Sequence, residues 1–367
     1  MKKLPMSVVQ FSEQTGVDKL FFEQFTDYYY HYMDEFHGKK LGAYDKNVSF
    51  SAKDDKIYKG LMSNIKKVSG QDMTAFSESV MAMNPMVNWA TMAIVGQAID
   101  AILPVSVIDS IGIYTELKTI GFGDSASYDI APRSLFTVSQ AGNAQRTAFI
   151  QKQFKTTRTL TPVNHEVTVQ VSLYSVLARK ESLAEFTRKA VMSIETQMTR
   201  DAYNAFKAGL NAVTVPTNLS VTGYTEEDLL RICQTVQAYN QGAKPSIIGT
   251  SLAIRNILPN GADGYRIVTN SDNMSIQLIK NFFDYDIIVL PQVAKGDADY
   301  GLQLDDNELY VVSTSSDKLV KGAIEGEVLT NSNDFYDNAN LTSNATMNKR
   351  WAFEFMSNAI AGIVHIA

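Results

Sequence analysis

Side chains able to do chemistry are scarce in this sequence. Its 367 residues include one cysteine, Cys233, and four histidines, His31, His37, His165 and His365. A single thiol excludes a disulfide framework and a thiolate metal cluster within one chain. His165 beside Glu166 would offer an imidazole and a carboxylate for proton transfer, but adjacent residues of a strand point to opposite faces. Two carboxylate groupings remain, Asp284 with Asp286, and Asp305-Asp306-Asn307-Glu308. The second lacks the spacing and the glycine of a calcium loop and reads as a solvated turn. Gly121-Phe122-Gly123 has no strand–helix–strand unit around it, so its glycines read as turn residues. The sequence contains no zinc-protease HExxH, no Walker-type phosphate loop, no GxSxG elbow and no kinase signature. Asn218, Asn340 and Asn344 head glycosylation sequons, which carry meaning only in a secreted protein. No catalytic residue, metal ligand or cofactor site is expected, and the reading is of a non-enzyme.

Composition narrows the class further. The chain is 45% hydrophobic and 20% charged, with 21 glycines and 9 prolines, which is globular and not low-complexity. Its length suits about two to three domains or one intertwined unit. The net charge of −6 argues against a dedicated nucleic-acid binder, which carries a basic domain. MKKLPMSVVQF at the start lacks the apolar core and cleavage site of a signal peptide. Pro85–Leu103 is apolar enough to approach a membrane span, but Asn88, Gln97 and Asp100 interrupt it. An aspartate at a bilayer centre costs about 2.5–3.5 kcal/mol. A buried helix is expected instead, with Asn84 as cap, Pro85 in its first turn and Pro104 as stop. No membrane association follows, and the cytosol is the default compartment.

The elements themselves are unevenly marked. Residues 1–70 read as polar and irregular apart from LFFEQFTDYYYHYMDEF, where Phe21, Phe25, Tyr28, Tyr29, Tyr32 and Phe36 recur at helical spacing. That stripe either packs on the chain's own core or docks on another subunit, since aromatics are enriched in interface cores. From Ile111 the period becomes strand-like around the Gly121 turn. Between Asp129 and Glu166 no acidic residue occurs, while Arg133, Arg146, Lys152, Lys155 and Arg158 supply +5 and leave −11 for the rest of the chain. With a turn at Ala141-Gly142-Asn143, this segment reads as a long two-stranded hairpin. Two strands alone cannot bury a face, so the hairpin must lie on something. Its charge points to a neighbouring copy, with a nucleic-acid finger over 130–165 as the competing reading.

Glu181–Gly209 is the clearest helix. Ser182 and Glu185 form a capping box, and Gly209 suits the exit. Leu183, Phe186, Ala190, Ile194, Met198, Ala202 and Ala205 trace one stripe, while Glu195, about 100° around from Ile194, is expected in solvent. About 28 residues at 1.5 Å each give about 42 Å, against a radius of gyration near 21 Å for a compact chain of this length. A second helix starts at the Thr225 cap, with Leu229, Ile232, Cys233 and Val236 inward. Strands alternate with short helices through Pro245–Val312, and Trp351–Met356 and Ala361–Ala367 are strand-like.

This order of parts, TELKTIGFGDSASYDIAPRSLFTVSQAGNAQRTAFIQKQFKTTRTLTPVNHEVTVQVSL, then SLAEFTRKAVMSIETQMTRDAYNAFKAGL, then KPSIIGT, DYDIIVLPQV and RWAFEFMSNAIAGIVHIA, resembles tailed-bacteriophage major capsid proteins of the Hong Kong 97-type over roughly residues 80–367. The resemblance implies an α+β, HK97-like fold. Its parts would be an N-terminal arm with leading helices (1–110), an E-loop hairpin (111–175), a P-domain with a spine helix (176–222), an A-domain (223–321) and a C-terminal return to the P-domain (322–367). It implies an icosahedral shell of hexamers and pentamers around double-stranded DNA, assembled in the host bacterial cytoplasm and resident in the virion. A separate scaffolding protein (or none), a portal and decoration proteins are the implied partners. An encapsulin-like compartment shares the fold. Lys152 and Lys155 are the residues onto which family crosslinking would map. Arg146, Lys152, Lys155 and Arg158 on the hairpin, with Phe21, Phe25, Tyr28, Tyr32 and Phe36 in the arm, are the candidate inter-subunit contacts. An α/β enzyme using the Asp284–Asp286 or Asp305–Glu308 carboxylates is the reading from a different class.

Overall fold

A computed structural model describes residues 4–70, 84–112, 114–130, 136–138, 140, 150–152, 155–171, 175–176, 178–212, 218–255, 257, 281–295, 299–313, 318–326, 328–332 and 343–366. The aromatic block is helical as expected, α2 (Lys19–His37), but the chain on either side of it is helical too rather than irregular, in α1 (Met6–Thr15) and α3 (Phe50–Ser69). Their ends are set by ordinary capping chemistry. Asp18 accepts from the Leu20 amide and Ser49 from the Ala52 amide, while Gly16, Gly38 and Gly70 close the three helices in the left-handed conformation.

Helix α4 (Pro85–Ile111) begins at Pro85 as expected but runs through Pro104. Ser106, Val107 and Ile111 are buried beyond the proline. Their packing outweighs the hydrogen bond that a proline removes, so Pro104 does not act as a stop. Asp100, the residue that speaks against a membrane span, is buried and accepts from the Lys349 ammonium and the Val328 amide, both at 2.7 Å.

Next come β1 (Thr115–Ile120), β2 (Ala126–Ile130), β3 (Thr156–Leu160), β4 (Val163–Val171), α5 (Leu183–Ala212), β5 (Ser220–Thr222), α6 (Glu226–Tyr239), β6 (Pro245–Thr250) and α7 (Ser251–Arg255). The rest of the chain gives β7 (Asn281–Phe282), β8 (Tyr285–Leu290), β9 (Glu308–Ser313), β10 (Val320–Glu325), β11 (Leu329–Ser332), β12 (Ser343–Phe355) and β13 (Gly362–His365). Residues 258–280, where further alternation is expected, lie outside the described residues. The class is α+β.

Among the described residues the strands form two sheets and a ribbon. One sheet has the order β1-β10-β12-β11, with β4 antiparallel along the other edge of β12. The second runs β5-β13-β9-β6-β8-β7. Among the described residues β2 and β3 pair only with each other. β1 and β2 therefore flank the Gly121 turn without pairing, because β1 lies parallel to β10. The C-terminal stretch, expected to return as one piece, divides between the sheets, β12 entering the first and β13 the second.

Helix α5 starts where the sequence indicates, with the Ser182 hydroxyl accepting from the Glu185 amide at 3.2 Å. Leu183, Ala190, Ile194, Met198 and Ala202 are buried as expected. Glu195 is not in solvent. It is 8% exposed and accepts from the Tyr29 hydroxyl at 3.2 Å and from Ser106. The N-terminal helices cover this second face. Burial, followed by the Glu195 charge, pushes the Tyr29 hydroxyl above its ordinary range. Gly209 lies inside α5 rather than at its exit. A Cβ there would come within 2.2 Å of the Phe355 Cβ on β12, so the glycine permits the helix–sheet approach.

Two consequences are measurable. Glu195→Lys should lower stability by about 3–5 kcal/mol, as breaking a buried charged network does, in chemical denaturation of the unassembled chain. A native-like midpoint would contradict the second buried face. Gly209→Ala should cost about 1–3 kcal/mol from overpacking, despite alanine's better helix propensity of about 1 kcal/mol.

Candidate functional site

The β2–β3 ribbon carries the hairpin candidates, and its root is fastened to the first sheet. Residues of β2 alternate buried and exposed, placing Ala126, Tyr128 and Ile130 inward with Leu160, against Ala323 and Met356. The Tyr128 hydroxyl donates to the Gly322 carbonyl at 2.6 Å, and Lys118 sits 4.0 Å over the Tyr128 ring while donating to the Ser127 carbonyl. Arg158 pairs with Glu354 on β12 at 3.2 Å. Lys155 pairs with Asp129 across the ribbon at 2.7 Å, and Thr157 donates to the same carboxylate. The Lys155 bond, then the Thr157 bond, holds Asp129 below the usual carboxylate range.

Beyond the root the ribbon changes character. The Gln151 amide bonds both the amide and the carbonyl of Thr137 at 2.8 Å, tying the two legs together. Phe136, Val138 and Ile150 on these legs are 56%, 94% and 93% exposed. These residues belong to no strand, and their apolar side chains are bare in the single chain. The sequence reading missed these three, concentrating on the cations.

The other candidates fall as follows. Lys152 is exposed, Lys155 and Arg158 are exposed with partners in the same chain, and Arg146 lies outside the described residues, as does the turn at 141–143. Phe21 and Phe25 are buried between α2 and its neighbours, which corrects their candidacy as inter-subunit contacts: the chain's own core consumes them. Tyr28 and Tyr32 are half-buried around Phe50, with the Arg188 guanidinium 4.0 Å over the Tyr32 ring. Phe36 is 61% exposed.

The acidic stretch at 305–308 is not a solvated turn. Lys207 pairs with Asp305 at 3.0 Å and Glu308 at 3.4 Å, while Thr250 and Gln292 donate to Asp306. The Tyr203 hydroxyl accepts from the Asp305 amide. These carboxylates join α5 to the second sheet and have no free catalytic geometry. Asp284 is exposed and pairs with Lys244 at 3.3 Å. Among the described residues no group of three or more His, Cys, Asp or Glu side chains is placed to hold a metal. Cys233 is buried in α6, and burial pushes its thiol up to about 12.

The described site is thus a ribbon anchored to the first sheet, bare apolar side chains beyond it, and carboxylates that serve as struts between elements. The chain belongs to a family of phage capsid proteins: residues 39–365 match the family described as "SPbeta prophage-derived putative capsid protein YonB". It is also similar to solved shell proteins at low identity. The mature capsid of bacteriophage PhiM1 is 10% identical, covering 69% of this chain and 85% of that one, with a TM-score of 0.46. For the capsid of an empty GTA particle the values are 12%, 70%, 89% and 0.47. The SrpI encapsulin of Synechococcus elongatus PCC 7942 gives 11%, 69%, 85% and 0.41. No curated protein matches the sequence.

Because the thiolate is the reactive species, Cys233 should resist a thiol reagent near pH 8 in the native chain and react fully in denaturant. Equal labelling rates in the two states would mean that α6 is open.

Proposed function

We propose that this chain builds a closed icosahedral shell from copies of itself, hexamers and pentamers, around the double-stranded DNA of a phage, and that its role is structural and not catalytic. The observation that carries the reading is the outer ribbon. Phe136, Val138 and Ile150 gain burial only on a second surface, and fully burying one such side chain is worth about 1.5–3 kcal/mol. A closed assembly multiplies many such modest contacts. The E-loop, P-domain and A-domain division fits the ribbon, the first sheet with α5, and the second sheet in turn.

The nucleic-acid-finger reading loses support from the ion pairs. Lys155 and Arg158 are already engaged by Asp129 and Glu354, which leaves fewer free cations for phosphate contacts. A net charge of −6 suits a wall that must not hold packed phosphates tightly. The virion is the proposed location, reached after assembly in the host bacterial cytoplasm. A separate scaffolding protein, a portal and decoration proteins are the proposed partners. An encapsulin-like compartment is the alternative, separated by whether isolated particles contain DNA or a protein cargo.

The test replaces Phe136, Val138 and Ile150 together with serine. The unassembled chain should melt as the parent does, while particle yield by sedimentation and negative-stain imaging falls at least about tenfold, the equivalent of about 1.4 kcal/mol. Normal particles from the triple variant would overturn the reading.

A further inference from the structure

A cleft of about 640 Å³ opens between α2, α3 and the chain that joins them, within the range of about 300–1,000 Å³ usual for a binding pocket. Two polar atoms inside it are buried and unserved. Lys53 of α3 is 4% exposed, and its ammonium lies 2.8 Å from the Asp27 carboxylate. Among the described residues, however, no acceptor meets that ammonium in hydrogen-bond geometry. The Gln24 side-chain oxygen on α2 is buried too and receives no donor among those residues. Around these atoms Leu20 is 56% exposed and Val48 is half-buried. Glu23 and Asp45 also line the cleft, with Lys56 as its second cation, and neither carboxylate is in an ion pair among the described residues.

An ammonium has three protons to donate, and an amide oxygen accepts through two lone pairs. Leaving such groups buried and unmet is costly. Water would serve either atom, but it would leave Leu20 and Val48 bare. A peptide group serves both atoms, because it carries one carbonyl and one N–H, and an apolar side chain beside it covers the two hydrophobic residues. The cleft therefore fits an extended peptide that also brings a cation to Glu23 and Asp45. The ribbon leg at 150–152 has these features. It belongs to no strand, and Ile150 is 93% exposed. Among the described residues the Ile150 backbone makes no hydrogen bond. Lys152 is exposed and in no ion pair among those residues. In extended chain it falls on the same side as Ile150.

We infer that this cleft receives the 150–152 leg of a second copy: Ile150 covers Leu20 and Val48, the peptide groups of the leg serve Lys53 and Gln24, and Lys152 faces Glu23 and Asp45. The ribbon of one chain then ends on the N-terminal helices of the next. Such a contact joins two different surfaces, so it is head-to-tail, and each copy gives one leg and offers one cleft. The inference rests on the shell reading and names the surface that covers the ribbon. It also gives α2 and α3 a part in assembly, although Phe21 and Phe25 are spent on the chain's own core.

Crosslinking in the full-length chain tests this. Leu20 and Ile150 are both exposed in the single chain, so cysteines there leave its core intact, and native Cys233 is buried and silent. Particles of the Leu20→Cys, Ile150→Cys double variant are treated with a short bismaleimide and run on a denaturing gel. Most of the chain should shift from monomer to a ladder of dimers and longer multimers, because each copy has one leg and one cleft. The same variant unassembled should stay monomeric, as should particles of a Tyr300→Cys, Ile150→Cys control, in which the partner cysteine is exposed but lies outside the cleft. Particles that form without the ladder, or a control that crosslinks equally, would overturn the inference and leave the shell reading standing. A parent chain that forms no particles would overturn both.

Discussion

The burial of helix α5 on two sides is the constraint on which the rest of the molecule depends. At 30 residues and 1.5 Å per residue it is about 45 Å long. A helix of that length in a chain of this size has to serve as a common wall. Its Ile194 and Met198 stripe is buried. The Trp351 indole of β12 donates to its Asp201, and Gly209 lets Phe355 of the same strand come close. Its Glu195 face lies under Tyr29 of the N-terminal helices. Near its C-terminal end, Tyr203 and Lys207 reach the second sheet through Tyr310, Asp305 and Glu308. Each layer therefore holds its place by reference to one element.

Charge is used inside this body as a strut rather than as chemistry. Asp100 and Lys349 are both buried and pair at 2.7 Å, tying α4 to β12. Lys321 on β10 is buried against Glu116 on β1 at 2.6 Å, across the parallel pair. Removing one partner of such a pair costs more than the pair itself contributes, because it leaves an uncompensated charge away from water. These contacts fix which strand lies beside which helix.

Much of this was legible in the sequence. The α5 stripe, the Thr225 cap of α6, the strands at 308–312 and 351–355 and the root of the hairpin follow from period and capping, because local chemistry decides them. Other features depended on partners far along the chain. Glu195 reads as a solvent residue until Tyr29 of α2 and Ser106 of α4 are placed over it, and while the aromatic stripe marks α2, the helices α1 and α3 are hidden by their polar faces although Ser49, Gly16 and Gly70 mark their ends. Pro104 and Gly209 carry strong local meanings that tertiary packing overrides. The acidic run at 305–308 looks solvated because Lys207, Thr250 and Gln292, which satisfy it, are remote in sequence. Two of the hairpin cations, Lys155 and Arg158, have partners within the chain that are remote or local carboxylates, Glu354 and Asp129, which charge counting along the sequence does not reveal.

The account rests on one claim, that the outer ribbon is uncovered in a single chain and covered by a second copy in the particle. Carbene footprinting of unassembled and assembled protein, resolved to individual residues, addresses it directly. Phe136, Val138 and Ile150 should label strongly in the free chain and become protected in the particle, while exposed Tyr300 on the β8–β9 connection serves as a reference in the free chain. Equal labelling of the three ribbon residues in both states would contradict the account.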